Sequence, residues 1–302
     1  MRIRRITALL IPLTLALAGW VGTDSAWALN INESYRPQDE FKLDPWIDLP
    51  GPFDINKAVF YVLVATALTC LTMIYVARRM QARPNRLQTA VETAYTLMRD
   101  NITKGNMDSS MAAKWFPFIA TIFLFIWFSN MLGYLPLPTN THEKVSIFGI
   151  ELPSLALYAA TANISVPLVL TLMVWLSYHV EGIRAKGLFG YLKSWIPAGV
   201  EGPARIPIFF IEAISHFVRL VSLSVRLFAN ILAGHLLILF MGGGLVVLLN
   251  LAVVGSVVLG LVTGTMAVAF FLFEVGLVAT LQAFIFATLT AIYLGGAVAE
   301  EH

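Results

Sequence analysis

Four charged residues and two histidines stand in an otherwise apolar stretch from Ile206 to Ala299. They are Glu212, Arg219, Arg226 and Glu274, with His216 and His235. A charge at bilayer depth costs about 2.5 to 3.5 kcal/mol on insertion scales, so ionisable groups in a membrane segment indicate an ion path by default. The sequence therefore predicts that this stretch moves ions if it crosses a membrane.

The ionisable residues before His235 share one face of a predicted helix. They belong to a series of residues spaced 4, 3, 4, 3 and 4 positions apart, and this spacing keeps residues on one side of a helix. The stripe consists of Glu212, His216, Arg219, Leu223, Arg226 and Asn230. Two interpretations fit Glu212, His216 and Arg219 equally well. Glu212 could form an internal pair with His216 or Arg219, and Arg219 could extend to the cytoplasmic interface; alternatively, the three residues take part in proton transfer. Arg226 has no acidic residue one turn away on either side, which favours a function for it.

His235 follows Arg226 by nine positions, about 180° around a helix, so it faces other neighbours. One interpretation is a hydrogen-bonded core histidine. The alternative is a proton-relay pair with a glutamate on a second packed helix, in which each group tunes the other. A later segment supplies such polar residues: Glu274, Gln282, Thr288 and Tyr293.

Composition narrows the class of protein. The 302 residues are 58% apolar and 13% charged, with a mean hydropathy of +0.77, whereas soluble domains carry about 25% charge. A net charge of +2 offers no broad basic surface for nucleic acid, and the single cysteine excludes a disulfide framework within the chain. No phosphate-binding loop, dinucleotide fingerprint or HExxH motif occurs, so no cofactor or metal is expected.

The amino terminus has the pattern of a signal peptide. Residues 1–28 combine three early arginines, an apolar run and an A-x-A site ending at Ala28. An additional membrane anchor is the alternative. Cleavage would leave residues 29–57, which are rich in proline and acidic residues, as an exported and mostly irregular segment.

Uncharged segments at 58–77, 115–135 and 155–178 are long enough to cross a bilayer. The positive-inside rule assigns the cytoplasmic side. Residues 78–114 contain 7 Lys and Arg and residues 184–205 contain 4, whereas the loop between the second and third spans contains 1, so the first two regions are cytoplasmic. Residues 58–84 form the first span with its basic end, and 115–205 hold the next two spans. Residues 85–114 contain an amphipathic surface helix with apolar residues at helical spacing: Leu87, Val91, Tyr95, Met98 and Ile102.

Residues 206–302 differ because their apolar runs exceed one upright crossing. Residues 206–240 would extend about 52 Å and residues 245–296 about 78 Å as helices, with a turn at Gly242 to Gly244. Two upright crossings, broken near Gly260, Gly264 or Gly276, would place the carboxy terminus outside. One tilted helix would place it inside, and length alone does not decide between them.

Two motifs resemble a known family. Ser222-Leu-Ser-Val-Arg-Leu-Phe-Ala-Asn230, followed by Ile-Leu-Ala-Gly-His235, resembles the signature of subunit a of F-type ATP synthases. Leu281-Gln-Ala-Phe-Ile-Phe-Ala-Thr-Leu-Thr-Ala-Ile-Tyr293 resembles the family's carboxy-terminal motif. Arg86-Leu-Gln-Thr-Ala-Val-Glu92 and Phe128-Ser-Asn-Met-Leu-Gly-Tyr-Leu-Pro136 extend the resemblance upstream, whereas the first 84 residues match nothing specific.

The resemblance implies an all-α polytopic membrane protein with about five membrane-embedded helices. These include a long, strongly tilted carboxy-terminal hairpin at 206–302, beside an amphipathic helix on the cytoplasmic surface. It also implies a bacterial inner-membrane location, with the amino terminus outside and the carboxy terminus in the cytoplasm.

The same resemblance assigns roles to the candidate residues. It makes Arg226 the obligatory arginine and Arg219 the family's basic position. It implies that six residues line or support aqueous half-channels: Glu212, Ser222, Asn230, His235, Gln282 and Tyr293. His216 and Glu274 complete the candidate set. The family commonly has an acid or histidine seven residues before the glutamine. In this chain that position is Val275, and Glu274 is eight residues before Gln282. On an α-helix Glu274 would therefore point about 80° away from Gln282. Direct pairing of Glu274 with His235 therefore stays open.

The implied function is proton translocation by a non-catalytic stator subunit beside a ring of c subunits, with b subunits connecting it to the F1 head. A rotor carboxylate enters lipid only when neutral, and a permanently charged arginine holds the ionised form and repels a free proton. An ion-coupled secondary transporter is the alternative, although it should have repeated halves. A structural scaffold would tolerate loss of its membrane charges. The sequence does not distinguish H⁺ from Na⁺.

Overall fold

The fold is known from a computed structural model that describes residues 43, 45–47, 54–79, 81, 86–137, 144–147, 150–153, 157–197, 200, 202–244 and 253–299. The predicted signal peptide lies outside these residues, as does most of the predicted exported segment. Within the described part, almost all of the chain is helical, so the prediction of an all-α membrane protein is confirmed.

Among the described residues, seven α-helices carry the fold, and three π-helices extend or interrupt them. The α-helices are α1 (Lys57–Arg79), α2 (Arg86–Thr96), α3 (Ser109–Gly133), α4 (Ser165–Lys193), α5 (Arg205–Leu239), α6 (Val253–Phe273) and α7 (Ala279–Val298). The π-helices are Leu97–Thr103, Phe240–Gly244 and Glu274–Val278. Short 3₁₀ turns occur at Ala160–Ala162 and Gly202–Ala204.

In the part of the chain that the structure describes, four short strands form two antiparallel hairpins. Strand β1 (Pro45–Ile47) pairs with β2 (Ile55–Asn56), and β3 (Lys144–Ile147) pairs with β4 (Ile150–Pro153), with Lys144 opposite Pro153. No strand exceeds four residues among those described. The hairpins are therefore loop structures on a helical protein, and the first of them gives part of the predicted irregular segment a defined pairing.

Five helical segments of the described chain are long and apolar enough to cross a membrane. They are Lys57–Arg78, Ser109–Gly133, Ser165–Lys193, Gly202–Gly243 and Gly255–Val298. The number agrees with the prediction. The last segment stays helical throughout, so none of the glycines considered as breaks ends it. The glycines predicted as a turn, Gly242 to Gly244, instead belong to a π-helix that continues α5.

The third crossing begins later and ends later than the apolar run at 155–178 predicts. Residues 157–162 are buried but not α-helical, and the Ser165 amide donates to Asn163 Oδ1 at 3.0 Å where α4 begins. Helix α4 also continues past Tyr178 into a polar segment, where Glu181 forms an ion pair with Lys114 of α3. Gly187 then bends the chain with a φ of 71°, which only glycine adopts easily.

The surface helix predicted at 85–114 is present as α2 and the π-helix that follows it. Met98 and Ile102 are buried, whereas Arg86 and Arg99 on other faces are exposed. This distribution matches the predicted amphipathic pattern. Its location on the cytoplasmic surface stays a prediction.

The chain divides into two compact units. The first unit comprises residues up to Tyr61, Asn130–Ala162 and Asn230–Ala279. The second unit comprises Val62–Ser129, Asn163–Ala229 and the residues from Thr280 onward. Helix α5 therefore contributes to both units: its residues up to Ala229 belong to the second, and its residues from Asn230 belong to the first.

Candidate functional site

An ion pair on α5 begins the polar site of the second unit. The Arg219 guanidinium donates from Nη2 to Glu212 Oε1 at 2.8 Å, and His216 Nε2 lies 3.8 Å from the same oxygen. The internal pair considered from the sequence therefore exists. Both partners of the ion pair keep about a third of their side chains exposed, at 32% and 35%, so water still reaches the charges.

Helix α4 supplies partners that the sequence did not identify. The Tyr178 hydroxyl lies 3.0 Å from His216 Nδ1, and the indole of Trp175 donates to the backbone oxygen of His216 at 3.2 Å. These bonds fix the imidazole against α4. Tyr178 and Trp175 lie inside an apolar run of the sequence, where only the tertiary packing distinguishes them from core aromatics.

Tyr293 of α7 joins the same group. The Arg219 guanidinium carbon lies 5.7 Å from the centre of the Tyr293 ring, and the Tyr178 ring lies 5.9 Å from it. A guanidinium at this distance is attracted to the ring face. We call Tyr178, Glu212, His216, Arg219 and Tyr293 the cavity cluster.

The cavity cluster lines an open cavity of about 500 Å³ within the second unit. Lys186, Tyr191 and Trp195 contribute further polar groups to the wall, and Lys186 donates to the backbone oxygen of Ala299 at 2.7 Å. This volume holds many water molecules, since one needs about 30 Å³. An acid, a histidine and two basic groups therefore surround a space suited to water.

Arg226 is not part of the ion pair between Glu212 and Arg219. Its side chain is exposed, while Leu223 and Leu227 beside it are buried. Among the described residues, no carboxylate lies within ion-pair distance of it. Ser222, also in the second unit, is exposed, as is Asn230 in the first. These three exposed candidates, of which Arg226 and Asn230 belong to the predicted stripe, are therefore available to groups outside the chain.

In the first unit, His235 is fully buried and bonded to the backbone. Its Nδ1 lies 2.9 Å from the Ile231 oxygen, and its Nε2 lies 2.9 Å from the Gly133 oxygen. Because carbonyl oxygens only accept hydrogen bonds, the doubly protonated imidazolium alone can donate both. The surroundings of His235 therefore offer a place for an additional proton.

Glu274 lies in the same unit and is held by a tyrosine. The Tyr134 hydroxyl donates to Glu274 Oε2 at 2.9 Å, and the Tyr134 ring stacks on His235 with centroids 4.6 Å apart. Neither nitrogen of His235 bonds to Glu274, so Tyr134 contacts both groups without a direct bond between them. We call Tyr134, His235 and Glu274 the buried cluster. Tyr134 was not a candidate because nothing near it in sequence is charged.

A glycine on α5 makes room for the Glu274 carboxyl group. A Cβ added to Gly234 would lie 2.5 Å from Glu274 Cδ and 2.6 Å from its Oε2. Such contacts are closer than real Cβ atoms make. The glycine that precedes His235 therefore permits the carboxyl group to pack directly on the helix that carries the histidine.

Glu274 begins a π-helix, and this removes the basis of the predicted 80° offset. The Ala279 amide donates to the Glu274 oxygen five residues earlier, which is π-helical bonding. The offset assumed four-residue bonding throughout, so it does not apply to this segment. Val275, the alternative position for the acid, packs against an apolar group that includes Leu157 and Ile238.

Asn130 supports the other end of this π-helix. Its Nδ2 donates to the Ala279 oxygen at 3.3 Å, and its Oδ1 accepts from Thr161 Oγ1 at 2.7 Å. Asn130 and Tyr134 are four residues apart at the end of α3. Together they hold both ends of the segment that carries Glu274.

The remaining candidate, Gln282 of α7, is buried in the second unit and is not part of the cavity wall. In the part of the chain that the structure describes, no three histidine, cysteine, aspartate or glutamate side chains come together as a metal site. The sequence candidates thus fall into the cavity cluster, the buried cluster and an exposed group of Ser222, Arg226 and Asn230 on α5, and Gln282 belongs to none of the three.

Comparisons with known proteins identify the family of the chain. The sequence matches the family described as ATP synthase A chain over residues 59–295. The ATP synthase subunit a of Rubrobacter xylanophilus is 35% identical over 242 residues, covering 80% of this chain and 83% of that protein. The subunit a of Helicobacter pylori is 36% identical over 245 residues, covering 80% and 89%. That of Pelagibacter ubique is 32% identical over 280 residues, covering 91% and 98%. The chain therefore belongs to the ATP synthase A chain family.

Proposed function

We propose that each unit builds one proton half-channel and that Arg226 prevents protons from passing between the half-channels without rotor movement. As a member of its family, the protein is a proton-translocating subunit of the F0 sector of an ATP synthase. It is also a multi-pass membrane protein. The two clusters and the arginine supply the residue-level mechanism.

The cavity cluster forms the half-channel of the second unit. Its cavity is large enough for a water chain, and the charges of Glu212 and Arg219 remain partly hydrated. Lys186 and Ala299 line it. Lys186 belongs to the 184–205 connection that the distribution of Lys and Arg assigns to the cytoplasm, and Ala299 lies near the carboxy terminus that the family resemblance assigns to the same side. This half-channel therefore opens to the cytoplasm.

The buried cluster forms the half-channel of the first unit. That unit contains the β3–β4 hairpin of the loop with little positive charge, which the same rule assigns to the outer side. Glu274 takes up and releases protons, and His235 can hold one between two backbone oxygens. Protons here move between side chains instead of through a wide cavity.

Arg226 acts on the carboxylate of a rotating c subunit. Its guanidinium stays charged at all accessible pH, so it attracts the ionised carboxylate and repels a free proton. A rotor carboxylate must then be protonated before it turns into lipid. Each proton that crosses a potential of 100 mV releases about 2.3 kcal/mol, which drives the rotation.

The partners follow from this role. A c-ring contacts the exposed face that carries Ser222, Arg226 and Asn230, and b subunits connect the chain to the F1 head. The chain itself breaks no covalent bond and works as a non-catalytic subunit. The amino terminus lies outside and the carboxy terminus lies in the cytoplasm of a bacterial inner membrane.

The observation that carries the proposal is the exposed Arg226 without a carboxylate partner in the described chain. We expect Arg226→Ala to reduce proton-driven ATP synthesis below about a tenth of the wild-type rate, because no permanent charge then holds the rotor carboxylate. Arg226→Lys should fail nearly as completely, since an ammonium loses its proton more readily when desolvated.

The experiment uses the whole complex in inverted membrane vesicles. ATP-driven proton uptake, ATP synthesis and passive proton permeability after removal of F1 are measured for both variants. The control is Arg184→Ala, which removes an exposed arginine of α4. Coupled transport that survives in Arg226→Ala at the level of the control would refute the proposal.

A further inference from the structure

We propose that Tyr134 is a positioning residue of the proton pathway, which holds Glu274 through its hydroxyl and His235 through its ring. The inference rests on the proposed half-channel of the first unit and adds a residue to it. Tyr134 is neither charged nor part of the stripe on α5. Its assignment comes only from its contacts.

One side chain contacts both members of the predicted relay. The Tyr134 hydroxyl is 2.9 Å from Glu274 Oε2, and its ring is 4.6 Å from the His235 ring at an angle of 29°. Phe271 closes another side with an edge contact at 5.9 Å. The tyrosine is 2% exposed, so these contacts rather than water fix its rotamer.

The preceding residue strengthens the arrangement. Gly133 supplies the backbone oxygen that lies 2.9 Å from His235 Nε2, and it packs so closely on Ala159 that no side chain would fit there. The dipeptide Gly133-Tyr134 therefore contacts the histidine through its backbone and the glutamate through its side chain. A shift of this dipeptide would move both groups of the relay together.

The hydroxyl acts as a donor and not as a proton carrier. Burial, followed by the adjacent charge of Glu274, raises the pKa of Tyr134 above its ordinary value. The hydroxyl therefore keeps its proton and donates a hydrogen bond to Glu274 Oε2. Among the described residues, Oε1 of Glu274 has no hydrogen-bond partner, so this oxygen is free to exchange a proton.

The proton balance is simple. A proton that arrives at Oε1 converts the carboxylate to a neutral carboxyl group, and its departure restores the carboxylate. Tyr134 begins and ends each exchange as a neutral phenol. Its contribution is orientation: without its hydroxyl the carboxyl group can rotate, and the free oxygen no longer points in one direction.

The first test is Tyr134→Phe in the intact ATP synthase, because this change keeps the ring contacts and removes only the hydroxyl. We expect ATP-driven proton uptake per assembled complex to fall about tenfold, which corresponds to about 1.4 kcal/mol in the barrier. Tyr75→Phe, which removes a hydroxyl of α1 outside both clusters, is the matched control and should retain the wild-type rate.

An infrared measurement separates positioning from general structural support. The carboxyl stretching band of Glu274 is assigned by its loss in Glu274→Gln. We expect that band to move to higher frequency in Tyr134→Phe, because the carbonyl loses a hydrogen bond, and to stay in place in Tyr75→Phe. Tyr134→Phe combined with Glu274→Gln should be no slower than Glu274→Gln alone.

The outcomes are distinguishable. Wild-type proton uptake in Tyr134→Phe, or a slowed rate with an unmoved band, overturns the role of Tyr134 while the half-channel stands. Wild-type uptake in Glu274→Gln overturns the half-channel of the first unit itself. If Tyr134→Phe does not assemble, fluorotyrosine at position 134 keeps the ring and donates more strongly, so the band should move to lower frequency, and an unmoved band overturns the inference.

Discussion

The two units each hold a glutamate and a histidine, but they surround these groups differently. In the cavity cluster, Glu212 is paired with Arg219 beside an open cavity, and the charges stay partly hydrated. In the buried cluster, the one hydrogen bond to the Glu274 carboxylate among the described residues comes from a tyrosine hydroxyl, and His235 is fully buried and bonded to two backbone oxygens. The same residue types therefore belong to a wet site and a dry site.

This difference determines which groups must carry protons. In the cavity cluster, water can bridge a gap left by one side chain, since a bridging water is nearly as good as a direct bond. In the buried cluster, a lost group leaves buried polar atoms without a substitute. Removing one side chain should therefore harm the dry site more than the wet one.

The strongest test of this comparison replaces each acid by its amide. Glu274→Gln should lower proton uptake by about a hundredfold, because Glu274 is the one carboxyl group of the buried cluster and an amide cannot exchange a proton in its place. Glu212→Gln should lower it only about twofold to threefold, because the cavity keeps its water. Rates are measured per assembled complex in inverted vesicles, and equal losses at both positions would remove the distinction.

A second test acts on the space beside Glu274 without changing its chemistry. Gly234→Ala places a methyl carbon 2.5 Å from the Glu274 carboxyl carbon, which is closer than real contacts allow, so the carboxyl group must move. Proton uptake should fall about fivefold to tenfold for this displacement. The control is Gly264→Ala in α6, where an added Cβ meets nothing within 4 Å and helix propensity improves. Similar losses in both variants would point to a general helix defect.

A third test asks whether the position of the acid can move. Glu274→Val combined with Val275→Glu transfers the carboxylate to a site among apolar side chains that include Leu157 and Ile238. Placing a carboxylate among these apolar side chains is costly, so the double variant should assemble poorly and pump no better than Glu274→Gln. Recovered pumping would mean that the acid at 275 reaches the pathway after all.

The smallest effect is expected at an exposed pair outside both clusters. Lys104 donates to Asp100 at 2.8 Å, and this bond lowers the pKa of Asp100 below its ordinary 3.8. The pair therefore stabilises the fold above pH 3.8, and this contribution disappears as the pH falls through the lowered pKa. Because both side chains are about half exposed, Asp100→Asn should barely change the melting temperature at pH 7. A loss of several degrees would show that the pair does more than exposed pairs usually do.

Much of the helical architecture follows from local patterns in the sequence. Three of the five crossings are visible as uncharged runs and the last two as longer apolar runs with few charges. The spacing of Glu212, His216 and Arg219 places them on one face before any contact is known. The motif around Arg226 led to the family, and that assignment is confirmed. These features depend on residues close together in the chain.

The parts that could not be predicted depend on distant residues. Tyr134 is 101 positions before His235 and 140 before Glu274, so no pattern in the sequence connects them. Tyr178 is likewise 38 positions from His216. The later start of α4 results from the buried, non-helical residues 157–162, whose apolar composition resembles a helix. Tertiary packing decided each of these cases.

The π-helix at Glu274–Val278 changes how residue spacing relates to side-chain direction in the last membrane segment. A chain with one residue fewer in this segment would wind as an uninterrupted α-helix, and each residue before the deletion would turn by about 100° relative to those after it. The direction in which Glu274 points is thus encoded by chain length as well as by residue type. Counting residues back from a motif assumes four-residue bonding throughout, and the five-residue bond from Ala279 to Glu274 breaks that assumption here.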